Sequence, residues 1–250
     1  QETINRVQST EFISDFIAHA KKVGFKSINI DLIYGLPHQT IDTFTKTLNK
    51  AHEMDVDRIS LFSYAHLPSR FAAQRKLRDE WLPSVQEKFA LMKLAIEKLC
   101  GFGYDFIGMD HFAKPDDELS IAQKDGTLHR NFQGYTTKGG CDLLGLGVSS
   151  ISNIGTSFSQ NVKELQEYYK AIDTKKNAQV KGVSLSKDDE IRGEVIRELM
   201  CNLYLDKKSI SEKYDIDFAE YFVEDLPLLA TFISDGLVED NVDFIKVDQK

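Results

Sequence analysis

Apolar positions in the first 110 residues follow helical spacing in some segments and strand-like alternation in others. Three helices are predicted where a capping residue precedes apolar positions three and four apart, beginning near Ser9 or Thr10, near Thr40 and near Ser84. Three strands are predicted from runs rich in β-branched and aromatic residues, over 27–34, 58–64 and 104–109. Strands that alternate with helices of this length indicate parallel β/α units with right-handed crossovers. The predicted fold class is therefore α/β.

Apolar stripes identify the helix faces that we expect to be buried. The stripe of the first helix consists of Phe12, Phe16, Ile17, Ala20 and Val23. That of the second consists of Ile41, Phe44, Leu48 and Ala51, and that of the third of Val85, Phe89, Met92, Ile96 and Leu99. Ser84 and Glu87 form a capping box before the third helix, which makes it the best-marked element of the chain.

The character of the sequence changes after Met109. Residues 110–155 are rich in glycine, polar and aromatic residues, with a short helix predicted over 116–124 and a second apolar run over 143–151. The polar stretch 173–182 is typical of a linker. A helix with Val162, Leu165, Tyr169 and Ile172 is predicted between the apolar run and this stretch.

A separate helical segment is predicted from Ser186 onward. Two short helices and a terminal hairpin over 236–247 follow it. Three helices and a hairpin indicate a small helical domain of the winged-helix type. We therefore predict two domains, one over residues 1–182 and a second over 183–250.

Composition excludes several classes of function. The chain carries 39 acidic and 31 basic residues, a net charge of −8, without a basic stripe, so nucleic acid is not expected as a partner. No run of about 18 apolar residues is present, so no membrane span is predicted. The N-terminal sequence has neither an initiator Met nor an apolar signal core, which is typical of a chain entered partway through. We expect a cytoplasmic monomer.

The three cysteines, Cys100, Cys141 and Cys201, are odd in number and far apart in the sequence. At that spacing they form neither a disulfide framework nor a metal-ligand cluster. We interpret them as buried or partly buried thiols, and we predict no metal site among the residues of this chain.

Asp31 lies in the first predicted strand among apolar neighbours. Alternation places two sets on opposite faces: Ile28, Ile30 and Leu32 on one, and Asn29, Asp31 and Ile33 on the other. Polar side chains near the carboxyl end of an inward strand face are where β/α barrels carry their chemistry. Asp31 is therefore either a functional carboxylate or a structural residue that caps a neighbouring loop.

Asp110 and His111 follow the third predicted strand. A neighbouring Asp and His are suited to acid–base catalysis or to metal binding. Adjacent strand residues, however, point to opposite faces and seldom act on one atom. The favoured interpretation is a hydrogen-bonded structural pair.

Two further segments have compositions that suggest close contacts. The run from Gly145 to Ser150 is similar to part of a Gly-rich phosphate loop, but the flanking strand and helix of the dinucleotide fingerprint are not in place. We predict instead a strand whose glycines let a ligand or another backbone approach closely. Residues 130–137 combine a cation, aromatic rings, amides and hydroxyls in an unstructured stretch, which is typical of a binding loop over a polar, flat ligand.

Five segments together resemble the oxygen-independent coproporphyrinogen III oxidase family, also called coproporphyrinogen dehydrogenases: 29–37, 64–68, 108–119, 129–137 and 142–152. Heme-chaperone-like relatives share the first segment. They differ from this chain at 109–113 and 129–133, where they carry a Tyr-Glu-x-Ser-Asn-aromatic-Ala run and a His-Asn-x-x-Tyr-Trp run. The resemblance therefore favours the oxidase family, and a heme- or tetrapyrrole-binding chaperone-like protein is the alternative.

The resemblance implies a radical S-adenosylmethionine enzyme of porphyrin and heme biosynthesis. Its fold would be the C-terminal part of a partial TIM-like β/α barrel with an active-site cap, followed by the small C-terminal domain. In the family, a [4Fe-4S] cluster cleaves S-adenosylmethionine, and the resulting radical removes a β-hydrogen from a propionate of coproporphyrinogen III. Loss of CO2 and one electron leaves a vinyl group, and two rounds give protoporphyrinogen IX. The protein orients and shields the reactants.

The resemblance also implies roles for five residues, and it assigns no catalytic residue. Arg6 and Asp31 match positions that contact S-adenosylmethionine, Arg6 through the methionine carboxylate and Asp31 through an ammonium or a ribose hydroxyl. Ala65 and Ile151 match positions that line the cofactor with backbone and apolar groups. Gln133 matches a polar position near a second S-adenosylmethionine molecule.

The family's Cys-x-x-x-Cys-x-x-Cys cluster loop does not occur in these 250 residues. The cluster ligands are therefore expected upstream of Gln1, and the chain is expected to be inactive alone. Coproporphyrinogen III and an electron donor that the sequence does not identify are the implied partners.

Overall fold

The computed structural model of the protein describes residues 2–4 and 6–248. Two compact units divide the chain between Ile121 and Ala122. The domain boundary predicted at 182/183 falls inside the second unit and stays a prediction. Among the described residues, no helix is long and apolar enough to cross a membrane.

Helices and strands alternate in the first unit as the hydrophobic pattern predicts. Its elements are α1 (Thr10–Lys22), β1 (Asn29–Tyr34), α2 (Ile41–Glu53), β2 (Arg58–Ser63), α3 (Val85–Gly101), β3 (Asp105–Gly108) and β4 (His111–Ala113), and α4 (Glu118–Lys124) spans the division. Short 3-10 turns occupy Glu2–Ile4, Ala72–Lys76 and Asp79–Trp81. The side chains of Ser9, Thr40 and Ser84 cap α1, α2 and α3, so these three predictions are confirmed.

The sheet of the first unit has the strand order β1-β2-β4-β3. β1 and β2 pair in parallel, as predicted. β4 is antiparallel to both β2 and β3, so β3 has the same direction as β1 and β2 but pairs with neither. The three predicted strands thus share one direction, but the short antiparallel strand β4 was not predicted; Met109, with φ 54°, turns the chain back on itself and starts it.

Helices α2 and α3 cover one face of this sheet and enclose the core. The stripe predicted for α2 is confirmed at Phe44, Leu48 and Ala51, which are buried, and wrong at Ile41, which is exposed. In α3 the buried row is Leu91, Ala95 and Leu99, whereas Val85 and Phe89 are exposed. The stripe prediction for α3 is confirmed at Leu99 and in part at Ile96, which packs against the core, and it is wrong at Val85 and Phe89. Two overlapping apolar rows run along the helix, and periodicity does not tell which row meets the sheet.

The stripe predicted for α1 is also wrong for most of its members. Only Ile17 is buried, while Phe12, Phe16 and Val23 are exposed. Helical spacing of apolar residues therefore predicted the helix but not its buried face.

Asp55 forms ion pairs after α2 that make its contribution to stability depend on pH. Its carboxylate contacts Lys114 Nζ at 2.6 Å and Lys21 Nζ at 2.8 Å. Hydrogen bonds from Lys114 and Lys21 lower the pKa of Asp55 to about 2. Because this value lies below the ordinary 3.8, the ion pairs stabilise the fold above about pH 4, and that contribution is lost as the pH falls through about 2.

We expect Asp55→Asn to remove a small part of this acid sensitivity. The side chain is 71% exposed, so solvent screening limits the effect to under about 1 kcal/mol. Urea unfolding at pH 6 and pH 3 measures it: the difference in unfolding free energy between wild type and variant should shrink at the lower pH. Asp15→Asn on the exposed surface of α1 is the control, and an equal pH response in both variants would contradict the prediction.

The second unit contains three small antiparallel sheets within its described residues, with strand orders β5-β6, β7-β8-β9 and β10-β12-β11. Its strands are β5 (His129–Asn131), β6 (Gly134–Thr136), β7 (Ile151–Ile154), β8 (Ser157–Asn161), β9 (Gln179–Ser184), β10 (Tyr204–Asp206), β11 (Val238–Asp240) and β12 (Phe244–Val247). Its helices are α5 (Leu165–Lys175), α6 (Lys187–Cys201), α7 (Lys207–Tyr214), α8 (Phe218–Tyr221) and α9 (Ala230–Ser234), with a 3-10 turn at Leu226–Leu229.

For this unit one prediction is corrected, one is confirmed, and one strand was not predicted. The stretch 173–182 is not a linker, because α5 continues to Lys175 and β9 begins at Gln179 and pairs with β8. The terminal hairpin forms as β11 and β12, and β10 joins it as a third strand that the hydrophobic pattern missed. The core of this C-terminal segment consists of Ile191, Leu205, Ile210, Phe218, Phe222 and Ile245. The winged-helix type stays a prediction.

Gly145 shows the close backbone approach that its sequence context predicts. The run 143–151 is a loop up to Ile151, which begins β7, with one isolated bridge between Leu143 and Asn153. The strand prediction was therefore wrong. A Cβ atom on Gly145 would lie 2.5 Å from the carbonyl oxygen of Ile151, so only glycine fits without a shift of the backbone.

We expect Gly145→Ala to destabilise the protein by about 1–3 kcal/mol, the usual cost of overpacking. Gly193→Ala in α6 is the matched control. No atom lies within 4 Å of the Cβ that it adds, and alanine is favoured over glycine inside a helix by about 1 kcal/mol. Urea unfolding of both variants should show opposite signs, and two variants of equal stability would contradict the prediction.

Candidate functional site

One face of the β1-β2-β4 sheet, opposite the α2 and α3 core, carries a row of polar side chains. The register pairs Asp31 with Ser60, and Ser60 with His111. Directly paired residues project to the same face of a sheet, and neighbouring strands lie about 4.7–4.9 Å apart. Asp31, Ser60 and His111 therefore form one polar row across three strands. Alternation correctly predicted the face on which Asp31 lies.

The Asp31 carboxylate is oriented by a short chain of hydrogen bonds. Asn29 Nδ2 donates to Asp31 Oδ1 at 2.8 Å, and Ser60 Oγ donates to Asn29 Oδ1 at 3.1 Å. Asp31 is exposed. Among the described residues, its side chain makes no hydrogen bond to a loop backbone, and its functional role stays a prediction.

Two glutamine side chains fix the loops that follow β1 and β2. Gln39 Oε1 accepts from the Gly35 N–H at 2.6 Å, and Gln39 Nε2 donates to the Ile33 carbonyl at 3.2 Å. Gln74 Nε2 donates to the Ala65 carbonyl at 3.0 Å, and its Oε1 accepts from the backbone N–H two residues after Ala65 at 2.5 Å. The backbone at Ala65 is thus held in place just after the end of β2.

Lys88 of α3 joins the same two loops. Its Nζ donates to the Tyr64 carbonyl at 2.7 Å. Its side-chain carbons lie against Gly35, where an added Cβ would come within 2.9 Å of Lys88 Cε. Sequence reasoning missed Gln39, Gln74 and Lys88, because a polar side chain that bridges backbone groups has no spacing signature.

Arg58 lies next to the polar row and is held by two carboxylates. Its Nε donates to Asp117 at 2.9 Å, and its Nη2 donates to Glu118 Oε1 at 2.9 Å. Asp117 also accepts from Ser27 Oγ and from the backbone N–H of Leu119, each at 2.9 Å. Because three donors converge on the Asp117 carboxylate, whose side chain is 3% exposed, this cluster is a structural anchor of the sheet face.

Arg6 is exposed in the segment before α1. Among the described residues, no hydrogen bond or ion pair joins it to Asp31. The structure therefore does not bring these two predicted cofactor contacts together directly.

The second unit holds the other two predicted contacts. Gln133 lies in the turn between β5 and β6, where its N–H donates to Asn131 Oδ1 at 2.8 Å and its side chain is exposed. Ile151 begins β7 opposite Gln160. Residues 130–137, predicted to be unstructured, instead form the β5–β6 hairpin, because alternating pairs such as Arg130 and Tyr135 face each other across it.

Asp110 and His111 are in contact, and their interpretation as a structural pair stays a prediction. His111 Nδ1 lies 2.5 Å from Asp110 Oδ1. The expectation that adjacent residues point apart was wrong, because Asp110 belongs to the tight turn before β4 and not to a strand.

The cysteines do not have the arrangement of metal ligands. Cys201 is buried, whereas Cys100 and Cys141 are exposed, so the interpretation of all three as buried or partly buried was wrong for two. Burial raises the pKa of the Cys201 thiol, which disfavours a thiolate. Among the described residues, no group of three or more His, Cys, Asp or Glu side chains is placed to hold a metal ion.

Comparison with known proteins decides the family. The chain is 40% identical over 248 residues to the oxygen-independent coproporphyrinogen III oxidase of Thermostichus vulcanus, a match that covers 99% of this chain and 76% of that protein. The chain belongs to the oxygen-independent coproporphyrinogen III oxidase family. Residues 185–250 also match the HemN C-terminal domain. The resemblance seen in the sequence is confirmed.

Longer members of the family give the extent of the match. The chain is 53% identical over 250 residues to the oxygen-independent coproporphyrinogen III oxidase of Escherichia coli (strain K12), covering all of this chain and 55% of that protein. The chain thus spans about half the length of such relatives.

A solved structure supports the fold class. It is described as "Coproporphyrinogen III oxidase (HemN) from Escherichia coli is a Radical SAM enzyme", and it matches with a TM-score of 0.98 at 53% identity over 100% of this chain and 58% of that one. The prediction of a mixed α/β fold is confirmed, and the partial barrel stays a prediction.

Proposed function

We propose that the protein catalyses the oxidative decarboxylation of coproporphyrinogen III to protoporphyrinogen IX in heme biosynthesis. Membership of the oxidase family, with the polar row on a sheet face of this chain, is the observation that carries the proposal. S-adenosylmethionine, when bound, would supply the radical that removes a hydrogen atom from a propionate side chain. The residues of this chain would bind, orient and shield that cofactor and the substrate.

Asp31 fits a cofactor that carries an ammonium group and ribose hydroxyls. Asn29 donates to one oxygen of the Asp31 carboxylate, Oδ1. Because the side chain of Asp31 is exposed, its other oxygen can accept hydrogen bonds from a ligand. In the proposal, the Ala65 backbone that Gln74 fixes lines the same cofactor, and Arg6 binds its carboxylate with a two-pronged guanidinium contact. Gln133 and Ile151 are proposed contacts from the second unit.

The [4Fe-4S] cluster does not fit the residues of this chain, since its three cysteines are separated in sequence and differ in burial. In this proposal the cluster ligands belong to residues outside these 250. The roles of Asp31, Arg6 and Ala65 do not depend on where those ligands lie.

An anaerobic assay of the intact protein tests the proposal. With a reductant, S-adenosylmethionine and coproporphyrinogen III, we expect protoporphyrinogen IX, measured after oxidation as protoporphyrin fluorescence. Two molecules of CO2 should be released for each product molecule, because two propionates become vinyl groups. Tight stoichiometric heme binding without decarboxylation would overturn the proposal in favour of a heme-chaperone-like function.

A further inference from the structure

Two buried polar atoms lie beside Ala65 without a hydrogen-bond partner. They are the hydroxyl of Tyr64 and Nδ1 of His66, and among the described residues nothing pairs with either. The two rings are neighbours, with centroids 6.1 Å apart. A buried polar group that lacks a partner costs free energy, and such groups are uncommon in native proteins. Two of them in one short segment therefore indicate a place where a ligand completes the hydrogen bonding.

Tyr64 continues the strand alternation of β2 onto the polar face. Its N–H donates to the Tyr34 carbonyl at 2.8 Å, which extends the β1–β2 ladder by one residue. By alternation, Tyr64 follows Ser60 on the face that carries Asp31. The unpaired atoms are thus placed at the carboxyl end of the same sheet face as the proposed cofactor site.

The backbone around the pair is fixed from two sides. Lys88 donates to the carbonyl of Tyr64, and Gln74 donates to the carbonyl of Ala65. Since these bonds hold the segment before any ligand arrives, the two side chains are organised in advance for binding.

The surroundings of the two atoms favour an anionic ligand. Burial raises the pKa of Tyr64, which keeps its hydroxyl protonated as a donor. His66 Nε2 lies 3.4 Å from Asp79 Oδ1. A ligand carboxylate at Nδ1 would accept an N–H from that ring nitrogen. Two donors side by side suit a carboxylate.

We propose that Tyr64 and His66 together bind a carboxylate of a ligand at this end of the sheet. This inference rests on the proposed function, in which two molecules carry that group: the methionine part of S-adenosylmethionine and the propionates of the porphyrinogen. The chemistry is the same for both, and the experiment separates them.

Four variants of the intact protein test the pair. Tyr64→Phe removes only the hydroxyl. His66→Gln keeps an amide near the position of Nε2 and loses Nδ1, whereas His66→Asn keeps a polar group near Nδ1. Tyr34→Phe is the matched control, because Tyr34 packs against the helix-covered core on the other face of the sheet.

Calorimetry with S-adenosylmethionine and fluorescence titration with coproporphyrin III, a stable porphyrin that keeps the four propionates, supply the two arms. We expect Tyr64→Phe and His66→Gln to lower the affinity for one of these ligands about tenfold or more. A change of this size follows the loss of a hydrogen bond to a charged group. His66→Asn should retain much of the affinity, and Tyr34→Phe all of it. The ligand that is weakened identifies the source of the carboxylate. The analogue of that ligand without carboxylates, which is decarboxylated S-adenosylmethionine or octaethylporphyrin, should bind to the variants and to the wild type with equal affinity.

Thermal unfolding gives a readout that a purely structural role would not produce. Removing an unpaired buried hydroxyl should leave the melting temperature of the ligand-free Tyr64→Phe variant unchanged or higher. Wild-type affinity for both ligands in all variants, with an ordered water as the only partner of the pair, would overturn this inference alone. A wild-type protein that binds neither ligand would overturn the proposed function and this inference with it.

Discussion

Asp31→Asn is expected to lower the affinity for S-adenosylmethionine about ten- to hundredfold while leaving stability almost unchanged. The carboxylate is exposed, and Asn29 fixes its orientation. A charge-assisted hydrogen bond to a ligand ammonium or hydroxyl contributes about 1.5–3 kcal/mol, which corresponds to that change in affinity. The amide keeps the shape of the side chain, so no cavity opens and the fold is not disturbed.

Calorimetric titration of the intact protein beside a melting curve measures both quantities. Asp42→Asn, a carboxylate in the first turn of α2, is the control for a lost surface charge. Arg6→Lys should lower the affinity for the cofactor in the same way, because a point-charge ammonium does not reproduce the two parallel bonds of a guanidinium. Unchanged affinity with a large loss of stability would show that Asp31 is a structural residue.

Asp117→Ala is expected to destabilise the first unit by about 3 kcal/mol, the lower end of the cost of breaking a buried ion pair. The substitution removes the acceptor for Arg58, Ser27 and the Leu119 N–H at once. Arg58 keeps one carboxylate partner in Glu118, which is why the lower end is expected. The cost arises because a largely buried guanidinium loses its buried counter-charge.

Urea unfolding of Asp117→Ala beside Glu118→Gln tests this account. Glu118 pairs with the same arginine, but its side chain is 61% exposed, so its substitution should cost at most about 1 kcal/mol. Equal losses in the two variants would show that burial of Asp117 does not determine the effect.

Local features of the fold were predictable from the sequence. A helix cap depends on a side chain and a backbone N–H three residues away, so Ser9, Thr40 and Ser84 were found correctly. The face of β1 that carries Asp31 followed from alternation alone. The family followed from motifs.

Features that depend on distant partners were not predictable. β4 has three residues and forms because it completes the edges of β2 and β3, which no local pattern reveals. The buried row of α3 was mistaken because Phe89 and Leu91 are both apolar and only the position of the sheet decides between them. The bridging contacts of Gln74 and Lys88 likewise exist only once the loops are folded.

The placement of β4 also bears on how the nascent chain avoids aggregation. Until His111 pairs with Ser60, the edge of β2 that faces away from β1 has unpaired backbone N–H and C=O groups. Such an edge can pair with strands of other molecules. β3 and β4 are joined by a tight turn, so they can form a hairpin locally and close that edge in one step. Chains interrupted before residue 111 would keep this edge open, so we expect them to associate with one another.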